Sequence, residues 1–559
     1  MPSASALPER RVVLDLAFDP ERLNRERASC GGRLHYIALA AEPVSTMGSG
    51  TKVDTGSAMH GMQRIELGEG ATLDLLIGDP EQMLGEVAAR INHFILPAGT
   101  PASRLLGRMA APHATLQAED ADDEKRRALR AAGFSWEEEQ EGPWLHARYT
   151  SQRPQPPAVP PPSKRAVVIG AGLAGAAACE RLCARGWQVT LVERHEAPAQ
   201  EASGNRAGIF MPLLSKDDNI PTRLARAAFL YALRRWQALG GLGTAIDGAQ
   251  CGVLQLARDA EHAVLQKVLA DQWRYPPEFV QWLDAEAASS KLGSATPYGA
   301  WLFPQGGWAT PASICAAMLA GCGSKLQRRF HAEAVRLERH GEEWQVLAAD
   351  GSVIAQAPDI VIANGAGAME LPQTAPLPLY TMRGQVTHLS EGEFPTLPLV
   401  VCREAYMTPP VDGIVSVGAT YDTDRDAALR AASQQENLQR AEEILGQERI
   451  AAQRATEPPL QGRVGFRCMA PDRLPLVGTL PDYSAVGKPE RPRDVQRHPG
   501  LHCLLGYASR GLIWAPLAAE LLVSQLEGEP LPLEASLAAA LDPARFLLKN
   551  RRRTVADAP

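Results

Sequence analysis

The chain has 559 residues, enough for two or more hydrophobic cores, and its 45% hydrophobic and 22% charged content is that of an ordinary globular protein. A net charge of −7 excludes a global basic field, so any nucleic acid must meet a local patch. Nine cysteines without a C-x-x-C pair argue for a reducing compartment and against a metal site. No apolar run reaches the ~18 residues of a membrane helix, and the N-terminus lacks a signal-peptide core, so a soluble cytoplasmic protein is expected, with no membrane and no metal partner.

Residues 1–150 read as an α/β domain. Arg11–Ala17, Leu34–Leu39, Leu73–Ile77 and Asn92–Leu96 have the composition of buried strands, and Pro80–Ile91 and Asp123–Ala132 that of helices. Their alternation predicts a parallel sheet. The first strand is followed by Asp15-Leu-Ala-Phe-Asp-Pro20, not by the small residues that a nucleotide-type cofactor needs. The proline-dense Ser151–Ser163 marks a boundary and predicts an extended linker.

A second domain starts at Lys164 and extends over 164–553. Ala166–Ile169 is a short apolar run, followed by Gly170, Gly172 and Gly175 in G-x-G-x-x-G spacing. Ala176–Ala184 predicts a helix stopped by Gly186, and Val189–Val192 a second buried strand ending on Glu193. Gly170 permits the tight turn, Gly172 the approach of a pyrophosphate, and Gly175 close helix–strand packing. Glu193 stands where an acid receives ribose hydroxyls. A bare G-x-G-x-x-G is weak. With strand, helix, second strand and acid in place it predicts a dinucleotide site, NAD or FAD.

Downstream, Glu201–Gly208 is a small-residue loop suited to wrap a phosphate or ribose, and Pro221–Leu239 predicts a helix bearing Arg223, Arg226, Arg234 and Arg235. Cys251–Ala257 predicts a strand, and Trp301–Pro311 a turn-rich segment before a helix to about Ala320. Asp359–Ala363 is a buried strand running into Asn364-Gly-Ala-Gly367, which brings backbone to the cofactor. Gly465–Gly478 and Gly506–Pro516 follow, the latter leading into a helix through about Leu526 whose N–H groups can face an electron-rich ring. The chain closes on the basic Lys549–Arg553, a solvated tail or an RNA contact.

The fingerprint, the Asp359–Gly367 strand and the late glycine loop together resemble FAD-dependent amine oxidases of the D-amino-acid oxidase and glycine oxidase type. Ala202–Gly208, Pro212–Lys216, Cys251–Gln255, Arg383–Val386, Gly418–Tyr421, Arg467-Cys468, Asp472–Gly478 and Ser509–Leu512 resemble more closely the C-terminal half of the bifunctional tRNA 5-methylaminomethyl-2-thiouridine biosynthesis family, MnmC. The resemblance covers roughly residues 165–553. It implies a Rossmann-type FAD-binding domain with an α+β substrate subdomain, preceded by a degenerate Rossmann-like methyltransferase domain. It also implies FAD-dependent conversion of a wobble 5-carboxymethylaminomethyl-2-thiouridine to the 5-aminomethyl form, with the tRNA anticodon stem-loop as partner and molecular oxygen as electron acceptor.

Within residues 1–150, Leu34–Ile37, Leu73–Asp79 and Ala132–Phe134 resemble the family's methyltransferase half, but in shortened form. Its glycine-rich loop is missing, Pro97-Ala-Gly-Thr-Pro101 replaces an acid-bearing segment, and Glu137–Glu141 replaces a basic run. Asp79 alone stands as a candidate ligand for an adenosine group. The expectation is that S-adenosylmethionine does not bind, that the later methylation is lost, and that this half packs or orients tRNA.

The implied substrate arm is an N-substituted glycine, and a carboxylate asks for a guanidinium fork. Arg467 is the first candidate anchor, against the plainer role of a structural ion pair. Arg510 is the second, although its loop can instead serve the flavin. Tyr406 and Tyr421 are candidate phenolic contacts, Arg383 a brace for backbone near the flavin, and Lys216 a tRNA phosphate contact or a plain surface lysine. The expected cofactor contacts are Gly170, Gly172, Gly175, Glu193, Ser203, Gly204, Asn205, Arg206, Gly208, Asn364, Gly365, Ser509, Arg510, Gly511 and Leu512. The competing functions are a free glycine- or sarcosine-type amine oxidase, a fully bifunctional enzyme, and a flavin-binding scaffold that presents tRNA.

Overall fold

The computed structural model describes residues 10–40, 59–137, 142–151, 160–392, 397–445, 460–485 and 489–548. The acidic residues 138–141, most of the proline-rich linker and the basic tail lie outside them. The chain divides into two compact units, Met1–Pro162 with Leu521–Ala538, and Ser163–Glu520 with Ala539–Pro559. The sequence expectation of an N-terminal domain over 1–150 therefore omits a C-terminal segment.

The first unit is an open α/β sheet. Its strands are β1 (Arg11–Asp15), β2 (Leu34–Ala40), β3 (Gly61–Gly68), β4 (Ala71–Ile77), β5 (Ile91–Leu96), β6 (Ala110–Glu119), β7 (Phe134–Ser135) and β8 (Trp144–Tyr149). The helices are α1 (Pro20–Ser29), α2 (Pro80–Glu86), α3 (Leu105–Met109) and α4 (Asp123–Ala131). The strand order is β3-β4-β2-β1-β5-β6-β8-β7. The strands β4, β2, β1, β5 and β6 run parallel, while β3 and β8 pair antiparallel. The parallel strands β1, β2, β4 and β5 are buried on both faces, β6 alternates buried with exposed positions, and Leu14, Ile37, Leu76, Phe94 and Leu116 are core residues.

Residues 521–538 complete this unit. Arg64, buried on β3, holds Asp74 through Nε at 2.8 Å and Nη2 at 2.7 Å, and also donates to Ser524 Oγ at 3.0 Å and to the Pro530 carbonyl at 2.7 Å. Arg33 pairs with buried Glu529 at 2.6 Å, and the Met62 N–H donates to Glu534 at 3.2 Å. Arg64, Asp74 and Glu529 are buried, so loss of a partner leaves a buried charge unpaired.

The second unit holds two large sheets. One begins with β9 (Arg165–Ile169), continues through α5 (Leu173–Ala184) to β10 (Gln188–Val192), and has six strands. It runs Leu326–Arg329, β10, β9, Asp359–Ile362, Arg497–Leu505, Leu476–Pro481, parallel except for the last strand. The other is an eight-stranded, mainly antiparallel sheet that includes Val253–Leu256, Val400–Cys402, Tyr406–Met407, Ile414–Gly418, Tyr380–Ser390 and Gly462–Met469. All nine cysteines are free thiols. Among the described residues no helix is long and apolar enough to cross a membrane, and no cluster of metal-ligating side chains occurs.

Candidate cofactor and substrate cleft

β9 ends on Gly170 at φ +101°, where a β-carbon would stand 2.7 Å from the Asn364 backbone. Only glycine lets the two parallel strands end so close together. At Gly175 a β-carbon would collide with the Gly170 carbonyl, so this glycine sets the packing of α5 on its strand. Gly172 faces Ser203, whose Oγ accepts from the Leu173 N–H at 3.2 Å at the start of α5. Glu193 Oε2 accepts from the Ala171 N–H at 2.7 Å and Oε1 from the His195 N–H at 2.9 Å. Those bonds fix the carboxylate and leave lone pairs for a diol.

The cleft's rim carries Arg194, His195 and Glu201. Glu201 accepts from Arg194 Nε at 2.6 Å and meets His195 Nε2 at 2.9 Å. Burial alone would raise the Glu201 carboxyl, but its bonds to His195 and Arg194 outweigh that and hold it below the ordinary range. Behind it, Arg463 donates to Asn205 Oδ1 at 3.3 Å and to the Gln200 carbonyl at 2.9 Å. A side chain at Gly204 would collide with this guanidinium.

Asn364 and Gly365 form a second wall, and Ser509, Arg510, Gly511 and Leu512 a third, at the start of the helix Gly511–Glu527. Asn364 Oδ1 and Tyr507 Oη are buried in this cleft without a hydrogen-bond partner. Buried polar atoms are rarely left unpaired, so these two fit a polar ligand. The glycine turn, the fixed acid, the α5 N-terminus and the orphaned atoms suit the pyrophosphate, ribose and polar ring edge of FAD.

The mixed sheet supplies the rest. Arg467, on the strand Gly462–Met469, donates to the Thr420 carbonyl at 3.2 Å, and its guanidinium lies 4.4 Å from the centre of the Tyr421 ring. A β-carbon at Gly384, on the neighbouring strand, would collide with that guanidinium. Tyr406 lines the same region, its hydroxyl pushed up to about 12 by burial against the opposing pull of Arg467. Arg510, half-buried, reaches the Met211 carbonyl at 3.5 Å, and burial lowers its proton affinity. Two cations and two phenols thus surround one end of the cleft with no acid paired to either guanidinium among the described residues.

Of the residues singled out in the sequence, Gly170, Gly172, Glu193, Ser203, Asn205, Gly208, Asn364, Gly365, Ser509, Arg510, Gly511, Leu512, Arg467 and Tyr406 line this one cleft. Gly175, Gly204 and Arg206 stand outside the lining, the first two as packing positions and Arg206 near Asp412 at 3.9 Å. Arg383 is fully buried and braces the loop after Tyr421, donating to Asp422 at 3.1 Å and to the Asp426 and Ala428 carbonyls, each at 2.7 Å. Lys216 is exposed and outside the cleft. Arg226 pairs with Asp218 at 2.7 Å and Arg235 with Glu180 at 2.8 Å, so these arginines of the long helix are engaged by acids. The sequence reading passed over Tyr507, although it lies inside the quoted Gly506–Pro516 segment.

In the first unit the sheet reverses its winding between β1 and β5, the position where open α/β sheets bind cofactors at their carboxyl ends. There Asp15 is fully buried, accepting from Tyr36 Oη at 2.5 Å, the Ala17 N–H at 3.1 Å and Arg22 Nε at 3.1 Å. Burial raises the Asp15 carboxyl despite these partners. Asp79 caps α2 by accepting from the Gln82 N–H at 2.9 Å. Thr100 closes its turn on the Pro97 carbonyl at 2.6 Å. With no glycine between β1 and α1, Asp15 engaged by Tyr36 and Arg22, and Asp79 engaged by its own helix, the residues present do not fit S-adenosylmethionine.

The sequence model of the FAD dependent oxidoreductases matches residues 165–525. The tRNA 5-methylaminomethyl-2-thiouridine biosynthesis bifunctional protein MnmC of Burkholderia thailandensis is 41% identical over 521 residues, covering 88% of this chain and 79% of that protein. The protein of the same name from Azoarcus sp. strain BH72 is 42% identical over 510 residues, with the same coverage of 88% and 79%. Among solved structures, glycine oxidase from Geobacillus kaustophilus superposes with a TM-score of 0.57 at 22% identity, over 68% of this chain and 99% of that one. Iminodiacetate oxidase from Chelativorans sp. BNC1 superposes at 0.54 with 26% identity, over 66% of this chain and 96% of that one.

Proposed function

The chain belongs to the FAD dependent oxidoreductases and to the family of MnmC bifunctional tRNA-modification proteins, and from that premise we propose that it removes the carboxymethyl group from 5-carboxymethylaminomethyl-(2-thio)uridine in the tRNA anticodon stem-loop. It is an FAD-dependent oxidoreductase acting on C–N bonds. The proposed reaction consumes water, which hydrolyses the oxidised C–N unit, and molecular oxygen, the final electron acceptor, and its products are the 5-aminomethyl nucleoside, glyoxylate and hydrogen peroxide. The observation that carries the reading is Arg467, a guanidinium that faces the cleft over Tyr421 and has no acid partner among the described residues. The secondary-amine substrate in the name of the 26%-identical iminodiacetate oxidase also bears carboxymethyl groups, which supports an N-substituted glycine.

FAD, when bound, supplies the two-electron oxidation of the N–CH2 unit. Glu193 would hold the ribose, the Gly170–Leu173 turn the pyrophosphate, and Asn364 and Tyr507 the polar edges of the cofactor. Arg467 holds the substrate carboxylate through a charge-assisted fork, while Thr420 and Tyr421 fix the plane of the guanidinium. Tyr406, kept as a neutral phenol by burial, donates one hydrogen bond to the same carboxylate. Burial of Arg510 strengthens its field on anionic groups in the cleft.

The first unit, by this reading, performs no methyl transfer and serves to pack or to orient tRNA. The test is nucleoside mass spectrometry of hypomodified tRNA incubated with the purified chain, with glyoxylate measured in parallel. The expected result is the 5-aminomethyl nucleoside with stoichiometric glyoxylate. Glyoxylate released from free glycine or sarcosine but not from tRNA would overturn the reading in favour of a small-amine oxidase.

A further inference from the structure

A second cavity, of about 530 Å³, lies wholly within the first unit. It sits where the α2–β5 connection and α3 lead into the amino ends of β5 and β6, and residues 524–531 complete it. An open α/β sheet binds its cofactor at the carboxyl ends, so this cavity lies at the opposite end of the parallel strands from the Asp15 crevice. Its lining is apolar at Leu84, Val87, Met109 and Leu531 and cationic at Arg90 and Arg108.

Neither guanidinium has an ion pair or hydrogen bond among the described residues. Arg108 is exposed, while Arg90 is half-buried and burial lowers its proton affinity. The acid in the lining, Glu529, is already neutralised by Arg33 at 2.6 Å. A partly desolvated cation without a counter-charge is costly, and an incoming anion removes that cost. In a chain of net charge −7, two free guanidinium groups over an apolar floor are a local exception to the field. The apolar floor suits a sugar or base face, and the pair of arginines suits the phosphodiesters on either side of it.

We propose that this cavity binds a nucleotide segment of the RNA substrate, with Arg90 and Arg108 holding backbone phosphates. The site rests on the tRNA reading above. It gives the first unit a binding role that needs no methyl donor.

The test uses the full chain loaded with flavin, and anisotropy of labelled tRNA at several salt concentrations. Arg90→Gln/Arg108→Glu is expected to weaken tRNA about tenfold and to lower the salt slope by about 1 to 2, with flavin absorbance unchanged. The single variant Arg108→Glu, at an exposed position, covers the case in which the double variant misfolds, and is expected to lower the slope by about 1. Adenosine monophosphate is the competitor that separates RNA from a free nucleotide, and is expected to displace tRNA only at millimolar concentration. Unchanged tRNA affinity and slope in a folded Arg108→Glu variant would overturn the site, as would equal affinity for tRNA combined with tight monophosphate binding. Either result leaves wild-type tRNA turnover intact, whereas failure of the function itself shows as no turnover in the wild type.

Discussion

At the scale of single residues, the cleft is set by two kinds of glycine. Gly170 and Gly175 let backbone meet backbone, whereas Gly172, on the cleft lining, and Gly384 let it meet side chains, the Ser203 hydroxyl and the Arg467 guanidinium. Gly172→Val is therefore expected to give a folded protein without the yellow flavin spectrum. Arg467→Ala should keep the spectrum and lose about 100-fold in kcat/KM for tRNA, mostly through KM, as a lost charge-assisted fork implies. Arg467→Lys should recover part of it. Gly384→Ala should resemble a mild Arg467→Ala, because the added methyl displaces the guanidinium. Full turnover in Arg467→Ala with intact flavin removes this arginine from the reaction. That Arg467 lines the cleft was legible from its place in the Gly465–Gly478 motif. Its support was not: Thr420 and Tyr421 follow a different strand, and only the pairing of the sheet brings them under Arg467.

At the scale of elements, β5 carries a titratable liability. His93 is buried, its Nδ1 lies 2.7 Å from Thr115 Oγ1, and burial aided by Arg11 and His146 pushes its pKa down from 6.5 to about 4. Below pH 6.5 the unfolded chain takes up a proton that the folded chain refuses, so stability falls as pH drops from 6.5 towards 4 and is complete above 6.5. The expected loss for the first unit between pH 7 and pH 5 is about 2 kcal/mol. Urea midpoints at the two values should show it in the wild type, and His93→Gln should flatten it. An equal pH response in both proteins would assign the effect elsewhere. The parallel strands β1, β2, β4 and β5 were readable because burial on both faces makes them apolar runs, whereas β6, whose burial alternates, went unread. The antiparallel β3 was not readable either, since its buried Gln63 and Arg64 break the pattern, Gln63 being satisfied by the Met59 carbonyl and Arg64 by Asp74 on β4 together with the distant Ser524 and Pro530. The helix expected to reach Ile91 stops at Glu86 because the Ala88 carbonyl accepts from the Leu531 N–H at 3.1 Å, a contact 443 positions away that no local propensity encodes.

At the scale of the whole molecule, one unit has its cofactor cleft open and lined by glycine, and the other has the equivalent crevice filled by Asp15, Tyr36 and Arg22. Isothermal calorimetry of the full chain with S-adenosylmethionine should give no binding heat, and tRNA products should stop at the free amine. Micromolar binding or a methylated product would restore the bifunctional reading. The motif resemblance placed the two halves correctly by type, yet the proline-rich segment suggested a clean cut between them. The first unit instead borrows residues 521–538. A ribosome therefore releases β1 to β8 long before the segment that bonds Arg64 through Ser524 and Pro530 and pairs Arg33 with Glu529 has been made. The N-terminal half must wait, incomplete, through the synthesis of nearly all of the rest of the chain. Premature termination anywhere before residue 521 would thus forfeit both units together, and a gene split at the linker would not yield two independent proteins.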